Sequence, residues 1–92
     1  MEPHLQSTQD LLLRAFGGPV PEDCILPCMR VLYDHMSDRN LAAVMANVNG
    51  GDASAWLNDV WRAAQLSLDD PSVVAQEQTL SKVGFAEWIA EP

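Results

Sequence analysis

The chain has 92 residues, 48% of them apolar, and its 13 acidic side chains outnumber the 5 basic ones, which gives a formal net charge of -8. This length suits a single helical domain over residues 1–92, and the apolar fraction is too high for a disordered segment. The excess of acids would repel phosphate backbones and anionic lipid headgroups. Direct contact with nucleic acid or with a membrane surface is therefore disfavoured.

The sequence carries no targeting signal that we recognise. The first ten residues lack a basic segment, and the three leucines at positions 11–13 are too short a run for a signal peptide. No apolar stretch approaches the roughly 18 residues that a membrane-spanning helix needs. Two cysteines alone do not form a disulfide framework. These features together predict a cytoplasmic protein.

Apolar residues recur at helical spacing along the chain, and no segment alternates as a strand does. The pattern predicts an all-α fold, a compact bundle of about five short helices. A short tail with three large apolar side chains follows the last helix and could fold back onto the bundle. The expected helices cover about residues 7–16, 23–36, 37–48, 53–65 and 70–84.

Helix starts are the clearest local signals. Ser37 is a typical N-cap for the third helix, and Asp52 or Ser54 for the fourth. Asp70 precedes Pro71, which is favoured at the first helical position. The second helix is expected to stop just before Ser37, with almost no linker, so that the second and third helices turn sharply.

Two segments, residues 20–48 and 69–85, carry a wider pattern. An acidic turn with prolines precedes a helix, a Ser-Asp pair restarts the chain, and a Pro-Ser start and a glycine–aromatic pair come later. The residues that carry this pattern are Pro21, Asp23, Pro27, Ser37, Asp38, Pro71, Ser72, Gly84 and Phe85. The chain thereby resembles a family of small actinobacterial, notably mycobacterial, domains of unknown function, of a size that actinobacterial phages also encode. The resemblance implies a small helical bundle and no activity.

Cys24, Cys28 and His35 fall on one stripe of the expected second helix, which raises the question of a metal site. On a continuous helix, Cys28 and His35 are separated by about 10 Å along the axis. Ligands of one zinc ion must each lie about 2.0–2.3 Å from it. We therefore expect buried thiols that act as small apolar groups, with no metal and no cofactor.

Catalytic motifs are missing from the sequence. There is no G-x-S-x-G motif and no phosphate-binding loop, and only two histidines are present. Asp69, Asp70 and Glu77 do not match the spacing of a calcium loop. A chain this short also rarely spares core volume for a rigid pocket. The sequence therefore predicts that the protein is not an enzyme.

The tryptophans are the most promising functional residues. Trp56 and Trp61 lie about 140° apart around the expected fourth helix, so both cannot face one small core. Grouping Trp61 with Leu57 and Val60 on the inner face leaves Trp56 near solvent. The alternative is that Trp56 packs flat over a helix seam. Exposed tryptophan is typical of protein-binding surfaces, so Trp56 and Trp88, which lies in the tail, are the predicted protein-binding residues.

The sequence thus favours a non-enzymatic, acidic protein-binding module. Its contact surface would be an aromatic patch on the fourth helix together with the C-terminal tail. The partner is a protein of unknown identity, and a second copy of the chain is among the candidates. The alternative is an acidic inhibitor or nucleic-acid mimic, of the kind that a phage encodes, which blocks a basic site on a host protein.

Overall fold

The computed structural model describes residues 3–90, and within that range all regular structure is helical. The predicted all-α bundle is confirmed, with the expected tail forming a sixth, very short helix. None of the helices in this range is long and apolar enough to cross a membrane. The elements are α1 (Pro3–Phe16), a 3-10 turn (Glu22–Cys24), α2 (Ile25–Tyr33), α3 (Asp38–Asn49), α4 (Ala53–Ala63), α5 (Pro71–Ser81) and α6 (Phe85–Ile89).

Three helices begin at the caps that the sequence predicts. The Ser37 hydroxyl accepts the backbone N–H of Asn40 at 3.1 Å. The carboxylates of Asp52 and Asp70 each accept the N–H two residues further on, both at 2.9 Å. Each cap satisfies an N–H that the first turn leaves without an intrahelical partner.

The expected helix over residues 23–36 is shorter than predicted. It begins with a 3-10 turn, and α2 ends at Tyr33. The N–H of His35 then bonds to the carbonyl of Leu32, three residues earlier, at 3.0 Å. This tighter turn ends the helical pattern of hydrogen bonds. Four residues, 34–37, join α2 to α3, so the expectation of almost no linker is wrong. The break at Ser37 itself is confirmed, because its extended backbone (φ -70°, ψ 157°) cannot continue a helix.

The helices surround one core, and α4 lies between α2 and α3. α3 packs against α4 and α1, whereas α2 packs against α4 and α5. α6 returns to α1 and α5. The outward side of α4 is left facing solvent. The fully buried side chains of the core include Leu11, Leu12, Cys28, Met29, Leu32, Leu41, Val44, Met45, Val60, Ala63 and Leu80.

Candidate protein-binding surface

The exposed side of α4 is bordered by two surface cavities. The first, here called the α3–α4 groove, has a volume of about 260 Å³. It is lined by Arg39, Ala42, Ala53, Ser54 and Leu57. The second, here called the α2–α4 recess, has a volume of about 280 Å³. It is lined by Glu22, Ile25, Leu26, Trp56, Asp59 and Arg62.

Trp61 lies on the edge of α4 that borders the α3–α4 groove, and 52% of its surface is exposed. The expectation that Trp61 faces the core is therefore wrong. Val60 and Ala63 occupy the inner face, and the ring of Trp61 is turned about 100° from Val60. Its indole N–H donates to the Asp38 carboxylate at 3.1 Å. The ring therefore stands over the start of α3, one turn along α4 from Leu57.

Trp56 lies on the opposite edge of α4 and is half-buried, with its ring packed against the core. Its indole N–H donates to the carbonyl of Gly50 at 2.8 Å. The expectation that Trp56 is the more exposed of the two rings is wrong, and its packing matches the alternative of a ring laid over a seam. Trp56 nevertheless lines the α2–α4 recess, so its role in binding stays a prediction.

Trp88 is buried, with 2% of its surface exposed. Its indole N–H donates to the hydroxyl of Thr8 at 2.9 Å, and its ring stacks on Phe85 with centroids 5.7 Å apart. The ring of His35 packs edge-on against Trp88 at 5.8 Å. Gly84, at φ +108°, lets α6 fold back in this way. The expected surface contact through Trp88 is therefore wrong, because the ring belongs to the core.

The two cysteines are free thiols. Burial, and to a lesser extent Cys24, raises the pKa of Cys28 to about 12. The pKa of Cys24 is raised as well, first by desolvation and then by the negative charge of Asp23. Thiols with raised pKa values stay protonated and react slowly. Within the described part of the chain, no group of three or more His, Cys, Asp or Glu side chains is placed to hold a metal ion.

Among the residues that the structure describes, two ion pairs join side chains of a single helix or of its end. Arg30 pairs with Asp34, and Arg62 with Asp59, each at 3.2 Å. Each pair cancels its own charge, so the net charge of -8 is carried by the other acids, most of which face solvent. A partner that approaches this domain therefore meets an acidic surface.

No protein-family model, curated protein or solved structure matches this chain. The resemblance to small actinobacterial domains stays a prediction.

Proposed function

We propose that this chain is a non-enzymatic protein-binding module that contacts its partner through the exposed side of α4, with Trp61 as the anchor. The observation that carries the proposal is the 52% exposure of Trp61. Tryptophan is highly buried on average in folded proteins, so an open indole ring is unusual. It is also among the residues most enriched at the energetic centres of protein interfaces.

Trp61 is held in position before any partner binds. Its bond to Asp38 ties the ring of one helix to the start of another. A ring that is already fixed loses little conformational freedom on binding, so more of the contact energy remains as affinity. The α3–α4 groove beside it offers apolar surface from Ala53 and Leu57, which are both part-exposed, for a side chain of the partner.

The charge of the chain indicates the chemistry of that partner. A surface of net charge -8 steers basic proteins towards it and repels acidic ones. Two copies of this chain would repel each other, so self-association is the less favoured arrangement. The partner that fits is a different protein, with an apolar contact surrounded by basic side chains. A cytoplasmic location is part of this proposal, and so is an actinobacterial or phage origin.

The net charge also supports a second candidate, an acidic inhibitor or nucleic-acid mimic that covers a basic site on another protein. In that case the carboxylates would make the contact, and Trp61 would contribute little. Salt separates the two candidates. At about 0.5 M salt, screening weakens contacts between exposed charges but leaves the burial of an apolar ring largely unchanged.

The experiment begins with the tagged domain as bait in a cytoplasmic extract, which supplies a candidate partner. The purified candidate is then titrated by calorimetry, at low salt and at about 0.5 M salt, with the wild-type chain, Trp61→Ala and Val74→Ala. Val74 is the matched control, because it is an exposed apolar residue (38%) on α5. We expect Trp61→Ala to weaken binding by about 2 kcal/mol or more, which is roughly thirtyfold, and Val74→Ala to have no effect.

The result that contradicts the α4 surface is equal binding by the wild-type chain and Trp61→Ala. If that result comes with a complex that dissociates at high salt, it favours the acidic mimic instead. Capture of a protein from the extract counts for neither candidate until the titration has been done.

A further inference from the structure

We propose that the α2–α4 recess receives an arginine or lysine side chain of the partner protein. This inference rests on the proposed function, since a partner lying over α4 would reach both of its edges. An α-helix with its side chains is only about 10–12 Å across. Trp61 would be contacted on one edge, and the basic side chain would enter the recess on the other.

The recess combines an apolar floor with an acidic rim. Ile25, Leu26 and Trp56 form the floor, and all three are half-buried. The indole N–H of Trp56 is already bonded to a backbone carbonyl, so its ring carbons are what it offers to a ligand. Glu22 and Asp59 supply carboxylates at the rim. Arginine and lysine side chains are complementary to this arrangement, because the apolar stem can lie on the floor while the charged head reaches the carboxylates of the rim.

The chain's own Arg62 shows that a guanidinium fits at this rim. Its Nη1 lies 3.2 Å from Oδ1 of Asp59, and 69% of the Arg62 side chain is exposed. Because Asp59 is already paired, the open acceptor is Glu22, whose carboxylate has no bonding partner within residues 3–90. An exposed ion pair of this kind is weak, so Arg62 can move aside when another cation enters.

The size of the recess points to a side chain rather than to a free small molecule. Its volume of about 280 Å³ lies just below the usual range for pockets that enclose whole ligands, about 300–1,000 Å³. Its charge excludes an acidic occupant, because two carboxylates face one guanidinium. A cationic side chain anchored in a larger partner surface satisfies both conditions.

The test is an NMR titration of the ¹⁵N-labelled full chain with N-acetyl-arginine amide, and separately with N-acetyl-citrulline amide, its uncharged isostere. We expect saturable shifts, in the millimolar range and for the arginine compound only, at the amides of Ile25 and Leu26 and at the indole N–H of Trp56. Glu22→Gln should reduce the affinity about two- to fivefold. Glu87→Gln, which removes an exposed carboxylate on α6, is the control and should change nothing.

Three results would overturn the inference: no saturable shifts, equal shifts with the citrulline compound, or an affinity that Glu22→Gln leaves unchanged. The spectrum of each variant also reports whether it is folded. Trp61→Ala should leave the arginine titration unaltered, which keeps the two proposals separable. If Trp61→Ala leaves the affinity of the partner unchanged while arginine still binds, only the proposed function is contradicted. A partner that depends on Trp61 while arginine does not bind contradicts only the recess.

Discussion

Trp88 and Trp61 make the same kind of hydrogen bond in opposite surroundings. Each donates its indole N–H to a side-chain oxygen on another helix, Thr8 in one case and Asp38 in the other. The exposed fraction is 2% for Trp88 and 52% for Trp61. Since stabilisation by an apolar ring scales with the area removed from water, the first ring holds the fold together and the second is left for other contacts. Burial, rather than hydrogen bonding, separates the two roles.

The largest expected effect is that of Trp88→Ala. The change should lower the free energy of unfolding by about 3–5 kcal/mol, because it removes a large buried ring and leaves a cavity. Urea unfolding at equilibrium, followed by far-UV circular dichroism, measures the loss. A loss no larger than that of Trp61→Ala would mean that α6 is not part of the cooperative core.

Trp56→Ala should give an intermediate loss, about 1–3 kcal/mol, because the ring is only half-buried. Trp56→Phe is the matched control, since it keeps most of the packing but removes the bond to Gly50, whose carbonyl can turn to water. The same urea experiment applies. A loss below that of Trp61→Ala would reverse the order of exposure that the structure gives to the two rings.

Trp61→Ala should cause the smallest loss of stability of the three changes, about 1–2 kcal/mol, because 52% of its surface is already exposed. The side chain is therefore open to substitution without loss of fold, which makes the binding experiment interpretable. If urea unfolding shows a loss as large as that of Trp88→Ala, Trp61 is a structural residue and the proposed contact surface is wrong.

Acid should loosen the start of α4 before it disturbs the packing of Trp88 against α1. The pKa of Asp52 is lowered in the fold, because its carboxylate accepts two hydrogen bonds from Ser54. The bond from the backbone N–H is the larger cause, and the bond from the hydroxyl is the smaller. The pKa of this carboxyl group is lower in the folded chain than in the unfolded chain, where it is about 3.9. The ionised carboxylate therefore stabilises the fold above about pH 3.9, and this stabilisation is lost as the pH falls through the pKa of the folded chain. We expect the protection of the Ser54 amide, measured by NMR as its exchange rate relative to that of the unstructured chain at the same pH, to fall below about pH 4. Loss of protection at the indole N–H of Trp88 at a higher pH than at Ser54 would contradict this order.

The parts of the fold that could be predicted from the sequence are the local ones. A cap such as Ser37 or Asp52 bonds within its own first turn, so its effect can be seen in four residues of sequence. Local sequence does not determine which of the two rings on α4 is exposed. The angle between Trp56 and Trp61 shows that one must face outward, but which one depends on where α2 and α3 lie, and that is a tertiary property.

The burial of Trp88 could not be predicted from the local sequence pattern, for two reasons. α6 is only five residues long, too short for a periodic apolar stripe to be recognised. Its hydrogen-bond partner, Thr8, is a polar residue near the other end of the chain, which no spacing rule connects to it. The sequence does carry one signal, Gly84, because glycine readily adopts the positive φ with which the chain turns before α6.

The bond between Thr8 and Trp88 joins residues 80 positions apart, so it closes nearly the whole chain into a loop. Loop closure of this length carries an entropic cost that rises with the logarithm of the number of residues, which favours late formation of the contact. Contacts that form after the rate-limiting step affect the rate of unfolding and leave the rate of folding almost unchanged. Stopped-flow measurements on Trp88→Ala should therefore show faster unfolding at a normal folding rate. The two ends of the chain would then set how long the native molecule survives, while its middle sets how quickly it forms.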